Sequence, residues 1–563
     1  MIRSNGLACA VAFALACLTL TRPSAHAQDF ADQILFNGKI LTVDKDFSTK
    51  EALAIRDGRI LATGTAADMQ TYAGDKTQKI DLGGRTVIPG LTDMHLHGIR
   101  AALTYSIEVS WIGVPSLEEA LARIKAAAQK AAPGTWIIVA GGWTDIQFKE
   151  KRKPNQAELV AAAPDNPVYI QHLYEWVLLS PRAMAEMQIA GDTDLPKFGK
   201  LVRDDSGKPT GEIEGNGITF TALFNKLPRP SFAQEVEGTK AFFHELNRLG
   251  VTGFIDPAGV SVGPASYQPL FKLWQDKQQT VRVAYTISSQ KPGAELEDYK
   301  ALTQLMPSGF GDDMLRFAGI GEIVIWAAWT DGDPSDEAMA KLEAVIRWAA
   351  QRRMGFQIHW NPERTVDKLL TILERVNAET PLSDLRWWID HLYDASDRSL
   401  ARMKALGIAW GVQDSLYFNA ATFKKMFGVA VAQRSPPVKN ALQMALMVGA
   451  GTDAHRVSNY NPFVSLRWFI NGRTIDGTEA IGQAQHPTRA AALRMYTLNS
   501  AWFAHDDDKR GSLEPGKYAD LAVLTKDYMS VPEEEIGGIE SVLTMLGGRV
   551  VYAAGPYAHL ARE

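Results

Sequence analysis

Residues 89–98 read PGLTDMHLHG, and the fold is decided by how this stretch is read. Pro89 and Gly90 break the preceding segment, a short strand-like run follows, and His95 and His97 come at i and i+2. On a strand that spacing puts both side chains on one face, where both imidazoles can reach a single ion. A lone H-x-H carries little weight, and its surroundings supply the rest. His359 ends GFQIHW (355–360), His391 follows LRWWID (385–390) and Asp453 closes VGAGTD (448–453). Each is an apolar run of strand composition with its polar residue at the C-terminal end, where the active site of an αβ barrel lies. Four of only eleven histidines take such positions, together with one aspartate. Imidazole and carboxylate are donors for a borderline or hard divalent metal.

Working outward, further strand runs are TGFIDP (252–257), VRVAYTI (281–287), MLRFAGIGE (314–322) and IAWGVQ (408–413). Amphipathic helices such as 336–353 and 366–376 alternate with them, the pattern of a parallel barrel. The flanks differ. QILFNGKILTVD, ALAIRDGRILATG and KIDLGGRTVIPG before the barrel, and ADLAVLTKD and SVLTMLGGRVVYAAG after it, are short strands cut by Gly and Asp turns. The expected fold class is therefore α/β: a metal-dependent (β/α)8 TIM barrel with a small β-sandwich formed by both ends of the mature chain. The sandwich is expected at 28–90 and 506–563 and the barrel at 91–505, with an insertion at about 111–223.

The extreme N-terminus stands apart. Arg3, the apolar run GLACAVAFALACLTL and the small residues of SAHA (24–27) form a secretory signal, residues 1–27, cleaved after Ala27. The run is short for a membrane span, and FALA before Cys17 fits a lipoprotein site poorly. An exported protein, periplasmic or secreted, is expected, with no stable membrane insertion after cleavage. Both cysteines, Cys9 and Cys17, lie in the signal, so disulfides and thiolate ligands are excluded from the mature chain. Without Arg3 and Arg22, 57 basic residues face 64 acidic ones and no basic cluster occurs, which argues against a nucleic-acid partner. With 46% hydrophobic and 22% charged residues, wholesale disorder is excluded. A homo-oligomer is compatible with all of this.

PGLTDMHLHG, GFQIHW, WWIDH and GTDAH, followed by GSLEPGKYADLAVL (511–524), resemble the amidohydrolase superfamily over most of the mature chain. The resemblance is closest to its YtcJ-like branch, the amidohydrolase 3 family. It implies a metal-bearing barrel and hydrolysis of an amide, cyclic amide, carbamate or similar bond. Matched position by position, His95 and His97 are the first-strand ligands, His359 and His391 those of strands five and six, and Asp453 the eighth-strand carboxylate. The family often carries a carboxylated lysine on strand four. Here LRFAGIGEIV offers none, and Glu322 is the nearest carboxylate, displaced by about one position if Gly321 is the true counterpart. Glu363 stands where a family Asp is common, and Asp390 where Glu is common.

The expected metal ligands are thus His95, His97, His359, His391, Glu322 and Asp453, holding one or two divalent ions, with zinc the expected metal. The expected reaction is attack of metal-activated water on a C–N substrate, with Asp453 as the catalytic base. His172, Trp176, Glu212 and His455 are candidate substrate contacts. Trp143, Tyr174 and Glu214 are further candidates whose bland reading is packing or solvated charge. The rivals are an ester or lactone hydrolase using the same residues, and an exported small-molecule binding protein without turnover.

Overall fold

The strand-end motifs lie on eight short strands. The computed structural model describes residues 30–329 and 332–561. The strands are β1 (Leu91–Asp93), β2 (Val251–Asp256), β3 (Arg282–Ile287), β4 (Leu315–Ile320), β5 (Gln357–Trp360), β6 (Trp388–His391), β7 (Ala409–Gln413) and β8 (Val448–Gly451). The expected signal at 1–27 falls outside the described residues. The eight strands form two four-stranded sheets, ordered β4-β3-β2-β1 and β5-β6-β7-β8, with every neighbour parallel. An isolated parallel bridge joins Ile320 to Phe356 beside β5. Between β1 and β8, the Met94 amide donates to the Ala450 carbonyl at 3.2 Å and the Asp453 amide to the His95 carbonyl at 2.8 Å.

Parallel neighbours need long crossovers, and helices supply them. Phe232–Arg248, Asp336–Gln351 and Asp397–Leu406 start at Ser231, Ser335 and Ser396, whose side chains accept from backbone amides of the first turn. The apolar stripe of Glu363–Glu379 buries Leu369, Leu370, Leu373 and Val376. Each such side chain contributes about 1.5–3 kcal/mol on burial.

The two ends of the described chain meet. One sheet is ordered Arg59–Gly64, Ala52–Arg56, Gln33–Phe36, Gln78–Asp81. A six-stranded sheet runs Arg549–Ala553, Ser541–Leu546, Leu521–Leu524, Thr86–Pro89, Lys39–Leu41, Thr49–Lys50. In it Leu521 lies opposite Pro89, which pairs the C-terminal segment with the strand leading into β1. Leu35 and Leu53 of the first sheet share an apolar cluster with Val87, Leu521 and Leu543 of the second. Asp520 ties this region to β3 through a buried bidentate pair with Arg282, at 2.7 and 3.0 Å. Removing one partner of such a pair costs about 3–5 kcal/mol.

Residues 111–223 lie between β1 and β2 and carry a five-stranded sheet, ordered Lys200–Arg203, Pro209–Glu214, Trp176–Leu179, Val168–His172, Ile137–Val139. Trp111, Trp143 and Phe148 pack in a cluster whose fully buried members all come from this region. Among the described residues, no helix is long and apolar enough to cross a membrane.

Candidate metal centre

The C-terminal ends of β1, β5, β6 and β8 bring His95, His97, His359, His391 and Asp453 around one carboxylate, Glu322. Strand β4 ends at Ile320, and Gly321 leaves room for its neighbours: a Cβ there would lie 2.5 Å from both the Gln357 amide nitrogen and the Thr286 hydroxyl. The Glu322 backbone is then fixed from both sides. Its amide donates to Pro257 O and its carbonyl accepts from the His359 amide, each at 3.0 Å. Its side chain faces the histidines, so the displaced alternative, with Gly321 as the inward position, does not describe the structure.

Glu322 Oε2 lies 3.5 Å from His95 Nε2, 3.6 Å from His359 Nδ1 and 3.6 Å from His391 Nε2. Oε1 lies 3.4 Å from His97 Nε2. Asp453 Oδ1 is 3.1 Å from His97 Nε2 and 3.6 Å from His95 Nε2, and its Oδ2 is 4.0 Å from His391 Nδ1. Most of these spacings are too long for good hydrogen bonds. They match donors sharing an ion, because two ligands at roughly 2.0–2.2 Å and a tetrahedral angle lie roughly 3.3–3.6 Å apart. His95 Nε2 and His391 Nε2 are buried and make no hydrogen bond among the described residues. The donor groups His95–His97–Asp453 and His95–Glu322–His391 are each compact enough to hold a metal.

Electrostatics follow from the convergence. Burial alone raises the Glu322 carboxyl, but the charge of His97 and the contacts of His359, His391 and His95 outweigh it and hold it well below the usual carboxylate range. Asp453 is likewise raised by burial and lowered further by His95 and His97, so it stays ionised. Burial pushes His95 down, while Asp390 first, then Asp453 and Glu322, hold it well above the ordinary imidazole range. His391 and Asp453 have φ of 70° and 56°, the left-handed region that costs a non-glycine residue on the order of 1–3 kcal/mol.

Asp390, noted in the sequence only as standing where Glu is common, and Asp93 and Asp256, not singled out there, support the cluster. Asp390 Oδ1 lies 3.1 Å from His95 Nδ1, and the carboxylate is fixed in turn by Trp388 Nε1 and Gln413 Nε2, each at 3.1 Å. This carboxylate–imidazole arrangement orients a ligand for its ion. Asp93, inside the quoted motif, accepts from the Thr452 hydroxyl at 2.6 Å and the His95 amide at 3.0 Å, and burial pushes it up to about 7. Asp256, at the end of β2, accepts from the amides of Ile99 and Ala258 and is raised by burial to about 6. It shapes the loop whose Ala258 carbonyl meets His97 Nδ1 at 2.9 Å. Gly259 follows with φ of 98°, and a Cβ there would lie 2.9 Å from Glu322 Oε1. The strand-end rule that selected Asp453 also selects Asp256.

Other candidates sit elsewhere. His172 stacks on Trp176 (4.9 Å, 9°), and its ring nitrogens face Thr144 and Asp145 on one side and Glu175 on the other. Lys153 caps Trp176 and pairs with Glu212 at 2.6 Å. His172, Trp176 and Glu212 therefore form a group of their own inside the insertion, with its own charges satisfied. Glu214 is exposed, and Trp143 is core, its Nε1 donating to the Gln171 carbonyl. His455 is turned toward Glu108, 3.5 Å away, rather than toward the cluster's carboxylates. Glu363 accepts from the Ser396 amide and the Ser399 hydroxyl at the start of the next helix.

The amidohydrolase family profile matches residues 78–552. The chain belongs to the amidohydrolase family. Its relatives include the protein LONG AFTER FAR-RED 3 of Arabidopsis thaliana, 27% identical over 95% of this chain and 94% of that protein. The N-substituted formamide deformylase of Arthrobacter pascens is 24% identical over 92% and 98%. The putative amidohydrolase YtcJ of Bacillus subtilis is 21% identical over 92% and 99%, which agrees with the YtcJ-like resemblance of the motifs. Among solved structures, an uncharacterized metal-dependent hydrolase from Pyrococcus horikoshii OT3 shares the fold, with a TM-score of 0.64 and 20% identity over 89% of this chain and 99% of that one.

Proposed function

We propose that this amidohydrolase is a metal-dependent hydrolase that cleaves a C–N bond in an amide, cyclic amide, carbamate or N-acyl compound. One observation carries the reading: a single buried carboxylate, Glu322, lies 3.4–3.6 Å from four imidazoles, with the ionised Asp453 beside them. His95, His97, His359, His391, Glu322 and Asp453 are the proposed ligands, and their nitrogen and oxygen donors suit zinc. The two Glu322 oxygens face different imidazoles, which favours two ions over one. A divalent ion held there supplies Lewis acidity, which acidifies water and polarises a carbonyl.

The remaining work belongs to the chain. Asp453 is the cluster carboxylate most open to solvent, with 14% of its side chain exposed against 7% for Glu322 and none for Asp390. It accepts a proton from the attacking water and delivers it to the departing nitrogen. Asp390 holds His95 in register, and Ala258 O does the same for His97. The name of the formamide deformylase relative points to the same bond class.

The architecture proposed for this chemistry is a closed (β/α)8 barrel with a β-sandwich from both chain ends, supported by the hydrogen bonds joining β8 to β1 and by the shared apolar cluster. Export is proposed from residues 1–27 alone: native protein should begin at Gln28 by mass spectrometry, and an intact Met1 would contradict this. The functional test is a panel of N-formyl and N-acyl amines beside the matching esters. Amide cleavage should vanish on chelation and return with zinc, whereas full activity in verified metal-free protein refutes the reading.

A further inference from the structure

A cavity of about 160 Å³ lies between the insertion and the strand-end loops. Its walls continue the segments that carry the metal-centre residues. Arg100 stands one turn beyond His97 in the helix Gly98–Thr104, and Arg456 comes three residues after Asp453. Val260 follows the Ala258–Gly259 pair that touches His97. The insertion and the segment after it contribute apolar Ile138, Phe220, Phe224 and Leu227, with polar Gln171 and Asn225 among them. A site of this volume accepts a group the size of benzene, which fills an engineered cavity of roughly 150 Å³.

The charge on this surface is unbalanced. Arg456 is buried over the Phe224 ring at 3.9 Å, bonds the Ala140 carbonyl and has Glu108 at 3.8 Å. Glu108 also accepts from the Thr104 hydroxyl at 2.6 Å, so one carboxylate offsets one guanidinium. Arg229 and Glu235, both in the lining, are of opposite sign. Among the described residues Arg100 makes no ion pair. Its Nη1 reaches the Val260 carbonyl at 3.4 Å, its Nε is buried without a hydrogen bond among the described residues, and both oxygens of Asp256 are taken by backbone amides. A guanidinium in the lining of a cavity that also holds Ile138, Phe220 and Phe224 suits a carboxylate on an apolar group.

We propose that this cavity is a specificity pocket for the non-reacting end of the substrate, and that this end is an apolar group of about benzene size bearing a carboxylate, received by Arg100. The inference rests on the hydrolase reading for the location of the reacting bond, but it is tested by binding alone. Zinc-loaded full-length protein is titrated calorimetrically with phenylacetate, with its neutral analogue 2-phenylethanol and with acetate. Phenylacetate should bind at least about tenfold tighter than either, as expected for one charge-assisted hydrogen bond added to ring burial. Arg100→Gln should lose that tenfold and Arg100→Lys should restore part of it. Thr221→Trp, which fills the cavity from the helix Gly217–Phe224, should abolish binding with zinc content unchanged. Equal binding of phenylacetate and 2-phenylethanol, no binding of phenylacetate, or wild-type affinity in both Arg100→Gln and Thr221→Trp (the anion then sitting on the metal) would overturn the pocket. None of these outcomes depends on turnover, so a failure of amide hydrolysis refutes the enzymatic reading separately.

Discussion

His95 and His172 are both buried, and each has carboxylates on both ring nitrogens. Around His95, Asp390 is fully buried, and Glu322 and Asp453 are nearly so; three close, poorly solvated charges overcome the cost of burial and raise the imidazole. Around His172, Glu175 is 44% exposed and Asp145 22%, so water screens them. Burial there dominates, Lys153 adds to it, and the ring is pushed down to about 3. A histidine between carboxylates is therefore not by itself a site. The difference lies in how many buried donors converge on the same point: six side chains at the strand ends, against one imidazole packed on an indole in the insertion.

Substitutions can break that contrast, and the largest effect is expected at Asp453. Asp453→Asn keeps the shape but cannot accept the proton, so kcat should fall about 10²–10⁴-fold while the fold survives. A near wild-type kcat would move proton transfer to another group. Asp390→Asn comes next: it weakens the support of His95 Nδ1 without removing a proposed ligand, and metal affinity should drop about 10–100-fold together with the rate at limiting metal. Excess zinc should restore much of that activity, and an unchanged metal affinity would reduce Asp390 to a packing residue.

The smallest effect on catalysis is expected at His172, where His172→Phe should leave kcat nearly unchanged and act on stability instead. The pKa of His172 is lowered on folding, so between pH 6.5 and about 3 the unfolded chain binds the extra proton. Its contribution is fully present above about 6.5 and is lost as pH falls toward 3. His172→Phe should flatten that acid slope in chemical denaturation series run at stepped pH. A slope identical to wild type, or a kcat loss as large as that of Asp453→Asn, would erase the distinction between the two regions.

Much of the centre was legible because strand ends are legible. His95, His97, His359, His391 and Asp453 each stand at or just after a short apolar run, and β1, β5, β6 and β8 lie on those runs. What escaped depended on departures from regular geometry. Period-two counting fails beyond Ile320, where the strand ends, so it could not tell which way Glu322 points. Asp390 and His391 are consecutive and would face opposite ways in a regular strand. The left-handed φ of His391 brings both to the cluster, and no residue pattern announces that. His172, Trp176 and Glu212 were attractive by residue type, but their partners are supplied by a separate sheet whose packing sequence spacing does not reveal.

The most direct test of the convergence at Glu322 is the metal content per chain, by plasma mass spectrometry, of wild type and Glu322→Gln, with hydrolysis measured on the same samples. Glutamine keeps the shape and gives up the charge that four imidazoles face. The account predicts two zinc ions per chain falling to about one, with most of the rate lost and no response of either protein to bicarbonate, since no lysine needs carboxylation. Equal metal content with equal kcat in the two proteins would contradict it.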